Sequence, residues 1–294
     1  MQRRKGMKGG KNKDQHGKRE TPIEDLEQLS YYDLFAYLNM PFFNLGGRAS
    51  IDQLAEMCHI TRESYVLEVG CGTGGNACYL AEKVGCTVTG IDASEPMVEQ
   101  ARARADAEGL TGKVAFEVGN ANHLRFEDAT FDTVITVFVS QFLDIQLVFP
   151  QFARVLKQGG VLGVNEMYKM DNIPTAPAQK LLEGEALLCE ITQLPFKLYT
   201  QSDWRNALER TDLGNIRSET IKILREKGVF KQMVKDMGGY RKVFGMIGKV
   251  IKLAWKSKSI RQKFGTLGQA KKILLRQKAT KQYLGYTIAA GQKI

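Results

Sequence analysis

The chain has 294 residues, 43% of them hydrophobic and 25% charged, with a net charge of +10. That composition fits one domain with a large core and argues against a collagen-like, disordered or disulfide-stapled class. The five cysteines (Cys58, Cys71, Cys78, Cys86 and Cys189) show no C-x-x-C spacing and no cluster with histidine, so buried reduced thiols and no metal site are expected.

Residues 1–20 hold eight Lys and Arg against Asp14 and Glu20, with almost no apolar side chain. Such a segment buries too little to offset its ordering entropy, and a disordered basic arm is expected. It lacks the apolar core of a secretory leader, and no later run of about 18 apolar residues marks a membrane span. The expected compartment is the cytoplasm. From Pro22 to about Met40, Leu26, Leu29, Tyr32, Leu34, Phe35 and Leu38 recur at helical spacing. Residues 49–58 predict a further helix, opened by Ser50 or the glycines before it.

Strands and helices then alternate. Residues 65–69 (YVLEV) are a short β-rich run ending at a glycine cluster, and 77–83 read as helix. Residues 87–91 are strand-like, and 96–108 are strongly helical with Ser94 as N-cap ahead of Pro96. Strands follow at 114–118 and at 131–138, the latter apolar almost throughout, as a strand buried on both faces requires. Residues 149–156 predict a helix stopped at Gly159-Gly160, and 161–166 a fifth strand. Ser202-Asp203-Trp204 opens another helix, 216–223 is strand-like, 228–282 is helical and basic, and 286–290 is a terminal strand. This order predicts an α/β fold with a parallel sheet covered on both faces.

The chemistry concentrates at Glu68-Val69-Gly70-Cys71-Gly72-Thr73-Gly74, where a strand runs into a glycine-spaced turn and a helix follows. Glycines at alternate positions let the backbone turn sharply and approach a ligand. The next strand ends at Asp92, where a carboxylate can accept both ribose hydroxyls of an adenosine. The third glycine comes one residue too early for the dinucleotide fingerprint, which argues against NAD.

The set E-V-G-C-G-T-G (68–74), G-I-D (90–92), G-N-A (119–121), F-D-T-V-I-T (131–136) and L-K-Q-G-G (156–160) resembles the class I, Rossmann-like S-adenosylmethionine-dependent methyltransferases of small-molecule type, closely over 65–168. The resemblance implies a doubly wound, seven-stranded, mostly parallel sheet. It implies an N-terminal helical lid at 21–60, a methyltransferase domain at 61–224 and 285–294, and a basic helical insertion at 225–284 before the last strand. It implies S-adenosylmethionine as cofactor, with Gly70, Cys71, Gly72 and Gly74 along its methionine part and Glu68 bracing that loop or reaching the amino group. Asp92 would hold the ribose. Ala93 and Met97 would flank the adenine, and Asn120 with Ala121 would read its edge; most relatives carry Asp at the position of Asn120. Tyr32 in the lid would meet the cofactor carboxylate, which Arg48 would also reach. Val137 would begin the wall shared by cofactor and substrate. Since the methyl group arrives activated, a general base is optional. Tyr31, His123 and Gln141 are the candidates.

Residues 222–294 hold nineteen Lys and Arg against Glu226 and Asp236, which leaves 21–221 with a net charge of −13. Within the insertion Val243, Phe244, Ile247, Val250, Ile251, Ala254 and Trp255 repeat at helical spacing among Arg241, Lys242, Lys249, Lys252, Lys256 and Lys258. Three readings stand: the apolar stripe packs on the body, it rests on an anionic membrane at the inner face, or the cations bind nucleic acid. The chain shows no nucleic-acid-binding module, which weighs against the last. The expected function is methyl transfer to a small, hydrophobic or lipid-like acceptor such as a quinone, isoprenoid, sterol-like or phospholipid-headgroup compound. The alternatives are an RNA or protein methyltransferase and a non-catalytic cofactor-binding scaffold. The sequence sets no oligomeric state.

Overall fold

The computed structural model describes residues 21–38, 45–222, 234 and 239–294, so the expected arm at 1–20 lies outside the described residues. The first helical run is two short helices, α1 (Ile23–Gln28) and α2 (Tyr31–Tyr37). They separate because Ser30 leaves helical geometry and its Oγ accepts the Asp33 amide at 3.0 Å as an N-cap. After α3 (Gly47–Met57) come β1 (Tyr65–Val69), α4 (Gly75–Lys83), β2 (Thr87–Asp92), α5 (Glu95–Ala107), β3 (Val114–Val118) and β4 (Phe131–Val137). Ser94 caps α5 as its position implies, its Oγ accepting from Met97 N at 3.3 Å.

The next segment corrects the sequence reading. Helix α6 (Ile145–Val155) starts four residues earlier than expected, because Asp144 caps it by accepting the Gln146 amide at 3.0 Å. The chain leaves the helix at Val155 and enters β5 (Leu156–Lys169) at once, so Gly159-Gly160 sits inside a strand. A long helix, α7 (Thr175–Thr192), follows where the sequence reading names none. Leu181 and Ile191 are buried while Leu182 stays exposed, so no single clean stripe marks it. Then come α8 (Gln201–Glu209), with a Thr200–Asp203 capping box, and β6 (Leu213–Lys222). The described part of the insertion is α9 (Tyr240–Lys256), α10 (Lys258–Lys271), a π turn at Lys272–Arg276 and α11 (Lys278–Lys281), and β7 (Leu284–Lys293) closes the chain.

The seven strands run in the order β3-β2-β1-β4-β5-β7-β6, parallel except for β7, which is antiparallel to both neighbours. One face packs on α3, α4 and α5 through Ile51, Leu54, Leu80, Val98 and Ala101. The other packs on α6 and α8 through Phe149, Phe152 and Trp204. The strand order reverses between β1 and β4, the crevice where open α/β sheets bind ligands.

Helices α1 and α2, the expected lid, lie under α10 of the expected insertion. Buried Ile260 of α10 packs with Leu26, Leu34 and Leu38, and Leu267 packs with Phe35. Lys263 Nζ donates to the carbonyls of Glu27 (3.0 Å) and Leu29 (2.7 Å), satisfying the C-terminal end of α1. Among the described residues no helix is long and apolar enough to cross a membrane. Replacing the fully buried Ile260 by Ala should destabilise the fold by about 2–5 kcal/mol, read as a lower denaturant midpoint at unchanged slope. A shift below about 0.5 kcal/mol would show that α10 is not part of the lid's core.

Candidate cofactor and acceptor cavity

A cavity of about 1480 Å³ opens at the C-terminal ends of β1, β2 and β4. Its floor is the turn after β1. The Gly70 and Cys71 amides donate to Ile91 O at 2.8 and 2.9 Å, drawing that turn over the end of β2. Gly70 takes φ +75°, and a Cβ there would collide with the side chain of Val139, so the turn requires glycine on two grounds. Gly74 differs from the expectation. It caps α4 and its missing Cβ leaves room for Phe116 Cζ (2.7 Å) and Ala101 Cβ (2.9 Å), so it serves packing and lies outside the cavity lining.

Asp92 ends β2 at the cavity wall. Its Oδ2 accepts the Gly72 amide at 2.9 Å and its Oδ1 the Ser94 amide at 3.0 Å. Burial pushes its carboxyl up from the ordinary value while the amides of Ser94 and Gly72 pull it down. Each oxygen keeps a lone pair for a hydroxyl donor. Ser94 Oγ also donates to Asp33 Oδ1 at 2.6 Å, and Ser30 Oγ to Asp33 Oδ2 at 2.8 Å. These three residues tie the lid to the Asp92 loop, and the sequence reading assigned none of them to the site.

Glu68 is buried one residue before the cavity wall. Its Oε1 accepts from Asn76 Nδ2 at 3.0 Å, while Oε2 has no hydrogen-bond partner among the described residues. Burial drives its pKa up to about 7. A half-satisfied carboxylate beside a cavity suits a cationic ligand group, as does the open wall at Asp92 for a ribose. The residues present therefore fit the cofactor that the motifs imply.

Tyr32, Cys71, Gly72, Ala93, Met97, Asn120, Ala121, His123 and Val137 all line the cavity. Burial raises the Tyr32 hydroxyl pKa, followed by the nearby Tyr31 and Asp92. Asn120 Oδ1 already accepts the Asn122 amide at 2.9 Å, forming a local turn that leaves one oxygen lone pair and the amide NH₂ for a ligand. Two candidates lie elsewhere. Tyr31 packs on Phe35 with ring centroids 4.4 Å apart, and Gln141 is buried with Nε2 donating to Met167 O at 3.2 Å. Neither lines the cavity, and Gln141 serves as a structural bracket. Arg48 lies 4.7 Å over the Tyr79 ring within the lining.

The far wall is the loop after β4. Phe138 adopts a left-handed φ of +56°, a strained state for a non-glycine residue, and donates its amide to Asn165 O at 2.9 Å. Glu166, fully buried, holds this loop. Its Oε1 accepts from Thr136 Oγ1 (2.8 Å), Ser140 N (3.0 Å) and Val139 N (3.2 Å). Burial raises its pKa to about 7 against those bonds. Beyond the loop the cavity is bounded by Leu45, Phe142, Leu194 and Pro195.

Residues 66–160 match the model of a methyltransferase domain family. The chain is similar to an uncharacterized protein of Haemophilus influenzae, 28% identical over 79% of this chain and 88% of that protein. It is also similar to sterol 24-C-methyltransferase of Aspergillus fumigatus, 34% identical over 40% of this chain but only 32% of that enzyme. Among solved structures, phosphoethanolamine N-methyltransferase 2 of Haemonchus contortus in complex with S-adenosylmethionine shares the fold. The TM-score is 0.65 at 18% identity, over 93% of this chain and 60% of that one.

The raised pKa of Glu166 has a consequence for stability. The native state holds this proton up to about pH 7, the unfolded chain only to about 4.5. Stability from this group is therefore full at acid pH and falls as pH rises from 4.5 through 7. Glu166→Gln should remove that slope, leaving the variant about 3 kcal/mol less pH-sensitive than the parent between pH 5 and 8 in urea titrations. Parallel pH profiles would place the titrating proton elsewhere.

Proposed function

We propose that this chain, an S-adenosylmethionine-dependent methyltransferase of the class I fold, methylates a small and largely apolar acceptor. The observation that carries the reading is the two-part cavity. At about 1480 Å³ it exceeds the roughly 300–1,000 Å³ of a pocket for one drug-sized ligand. Its glycine-turn end presents close-packed backbone and the carboxylate of Asp92. Its other end presents Phe138, Phe142, Leu194 and Pro195. An apolar acceptor suits the second end, and the sterol named for the Aspergillus fumigatus relative is of that chemistry.

In this reading Asp92 receives the ribose hydroxyls, Ala93 and Met97 sandwich the adenine, and Asn120 with Ala121 meets its edge. Gly70 and Gly72 allow close backbone approach to the methionine part, and Glu68, buried behind the cavity wall, braces the glycine turn through Asn76. The cofactor supplies a methyl group already activated on a sulfonium. The chain's own contribution is then alignment and exclusion of water. The Glu166-braced loop sets the position of Phe138 and Val139 between the two ends, and the lid, fastened through Asp33 and Ser94, covers the opening. His123 and Asp144 line the cavity, and no hydrogen bond pairs them into a catalytic dyad.

Asp92→Ala should weaken S-adenosylmethionine binding in calorimetry by about tenfold or more, since bonds to a charged group contribute about 1.5–3 kcal/mol. An unchanged affinity removes Asp92 from the site. For the acceptor, cells fed methyl-labelled methionine should show a label in the organic-solvent extract that depends on this protein. Dependence of label in RNA or protein instead would overturn the proposed acceptor class.

A further inference from the structure

Helix α9 has two apolar sides, and the body of the protein uses only one. Val243 is buried, and Val250 and Leu253 pack toward Leu26 and Ile260. Tyr240, Phe244, Ile247, Ile251 and Trp255, spaced by three or four residues, fall on a second stripe about 80° wide at 3.6 residues per turn. That stripe faces water: Phe244 is 66% exposed, Ile251 63% and Trp255 83%. Arg241, Lys242, Lys249, Lys252 and Lys256 occupy the adjoining arc. From residue 239 to 294 the chain holds fourteen Lys and Arg and no Asp or Glu.

We propose that this face of α9 docks on a membrane surface carrying anionic lipid headgroups. An apolar stripe beside a cationic arc, ending in a tryptophan, matches a helix lying in the plane of a lipid interface. The stripe enters the acyl boundary while the lysines meet headgroup phosphates. The charge decides between occupants. A second copy on a two-fold axis would set the basic arc against itself, with no acidic group from 239 to 294 to compensate. Nucleic acid would satisfy the cations but leave Phe244, Ile247 and Ile251 in water. The proposal rests on α9 and is independent of the acceptor's identity.

The chain contains two tryptophans, Trp204 buried in the core and Trp255 on the stripe, so emission changes on binding report Trp255. The full chain should co-sediment with vesicles of phosphatidylcholine containing phosphatidylglycerol, with a blue shift in emission, and should bind vesicles of phosphatidylcholine alone far less. Raising NaCl to about 0.5 M should weaken binding, as the Debye length shrinks to a few ångströms. The double variant Phe244→Ser, Ile251→Ser keeps Trp255 as the probe. It should lose about tenfold or more in vesicle affinity while keeping the parent's circular dichroism and S-adenosylmethionine affinity. Absence of binding to the anionic vesicles overturns the proposal. So does full binding by the double variant, which would reduce the contact to charge alone. A parent dimer in sedimentation velocity, lost in that variant, would assign the stripe to a second copy instead.

Discussion

The carboxylate of Asp92 is the point around which the C-terminal edge of the sheet is organised. It accepts one amide from the turn after β1 and another from the start of α5, at 2.9 and 3.0 Å. Those two bonds fix the first loop relative to the second, and with them the floor of the cavity. Burial of a carboxylate is costly unless donors compensate, and here the donors are backbone groups that would otherwise lack partners at a turn and a helix N-terminus. The arrangement works only if the first turn can pass close to its neighbours, which is why Gly70 faces Val139 with no room for a Cβ. The lid depends on the same point, because the serine that caps α5 also bonds Asp33.

Glu166 plays a comparable part on the opposite wall. One oxygen gathers three donors from 136–140 and forces the chain to turn immediately after β4. Phe138 is the residue that absorbs this turn, in a left-handed conformation that few non-glycine residues adopt. The surrounding bonds over-determine that geometry, as retained strain requires. Two anchored loops thus face each other across the switch point, one built for a polar ligand and one presenting aromatic and aliphatic surface.

The sheet was legible because its signals are local. The strand after residue 130 is mostly apolar and is buried throughout save Asp132, and the glycine turn and Ser94 cap follow from residue type alone. The strands at 65–69 and 114–118 fall where they were expected. Errors arose where a local signal had two meanings. Gly159-Gly160 resembles a helix stop, but it lies in β5 because the helix had already ended at Val155. Helix α7 buries Leu181, Gly184 and Ile191 against elements far away in sequence and carries exposed Leu182, so its periodicity is blurred. Gly74 matched a ligand-facing pattern, yet its neighbours are Phe116 and Ala101, which no spacing reveals. The Ser30–Asp33–Ser94 connection was invisible for the same reason: it joins residues 61 positions apart.

The late basic segment does not line the cavity, but it packs on the two short helices that border it. Helices α1 and α2 have six and seven residues, well short of the roughly 12–15 at which an isolated helix becomes even marginally stable in water. Their stability must come from tertiary contact. Toward the sheet they have the Asp33–Ser94 bond and Phe35 against Met97. Away from it they have α10, through Ile260, Leu267, the Lys263 bonds to the end of α1, and Ser257 donating to Glu27 Oε1. A segment some 230 residues later in the chain therefore holds α1 and α2 in place. The same segment presents the exposed face of α9, which packs on α1 and α10 through its other side. Whatever engages that face acts on a helix whose buried side supports the lid, so the outer surface and the cavity mouth belong to one packed unit.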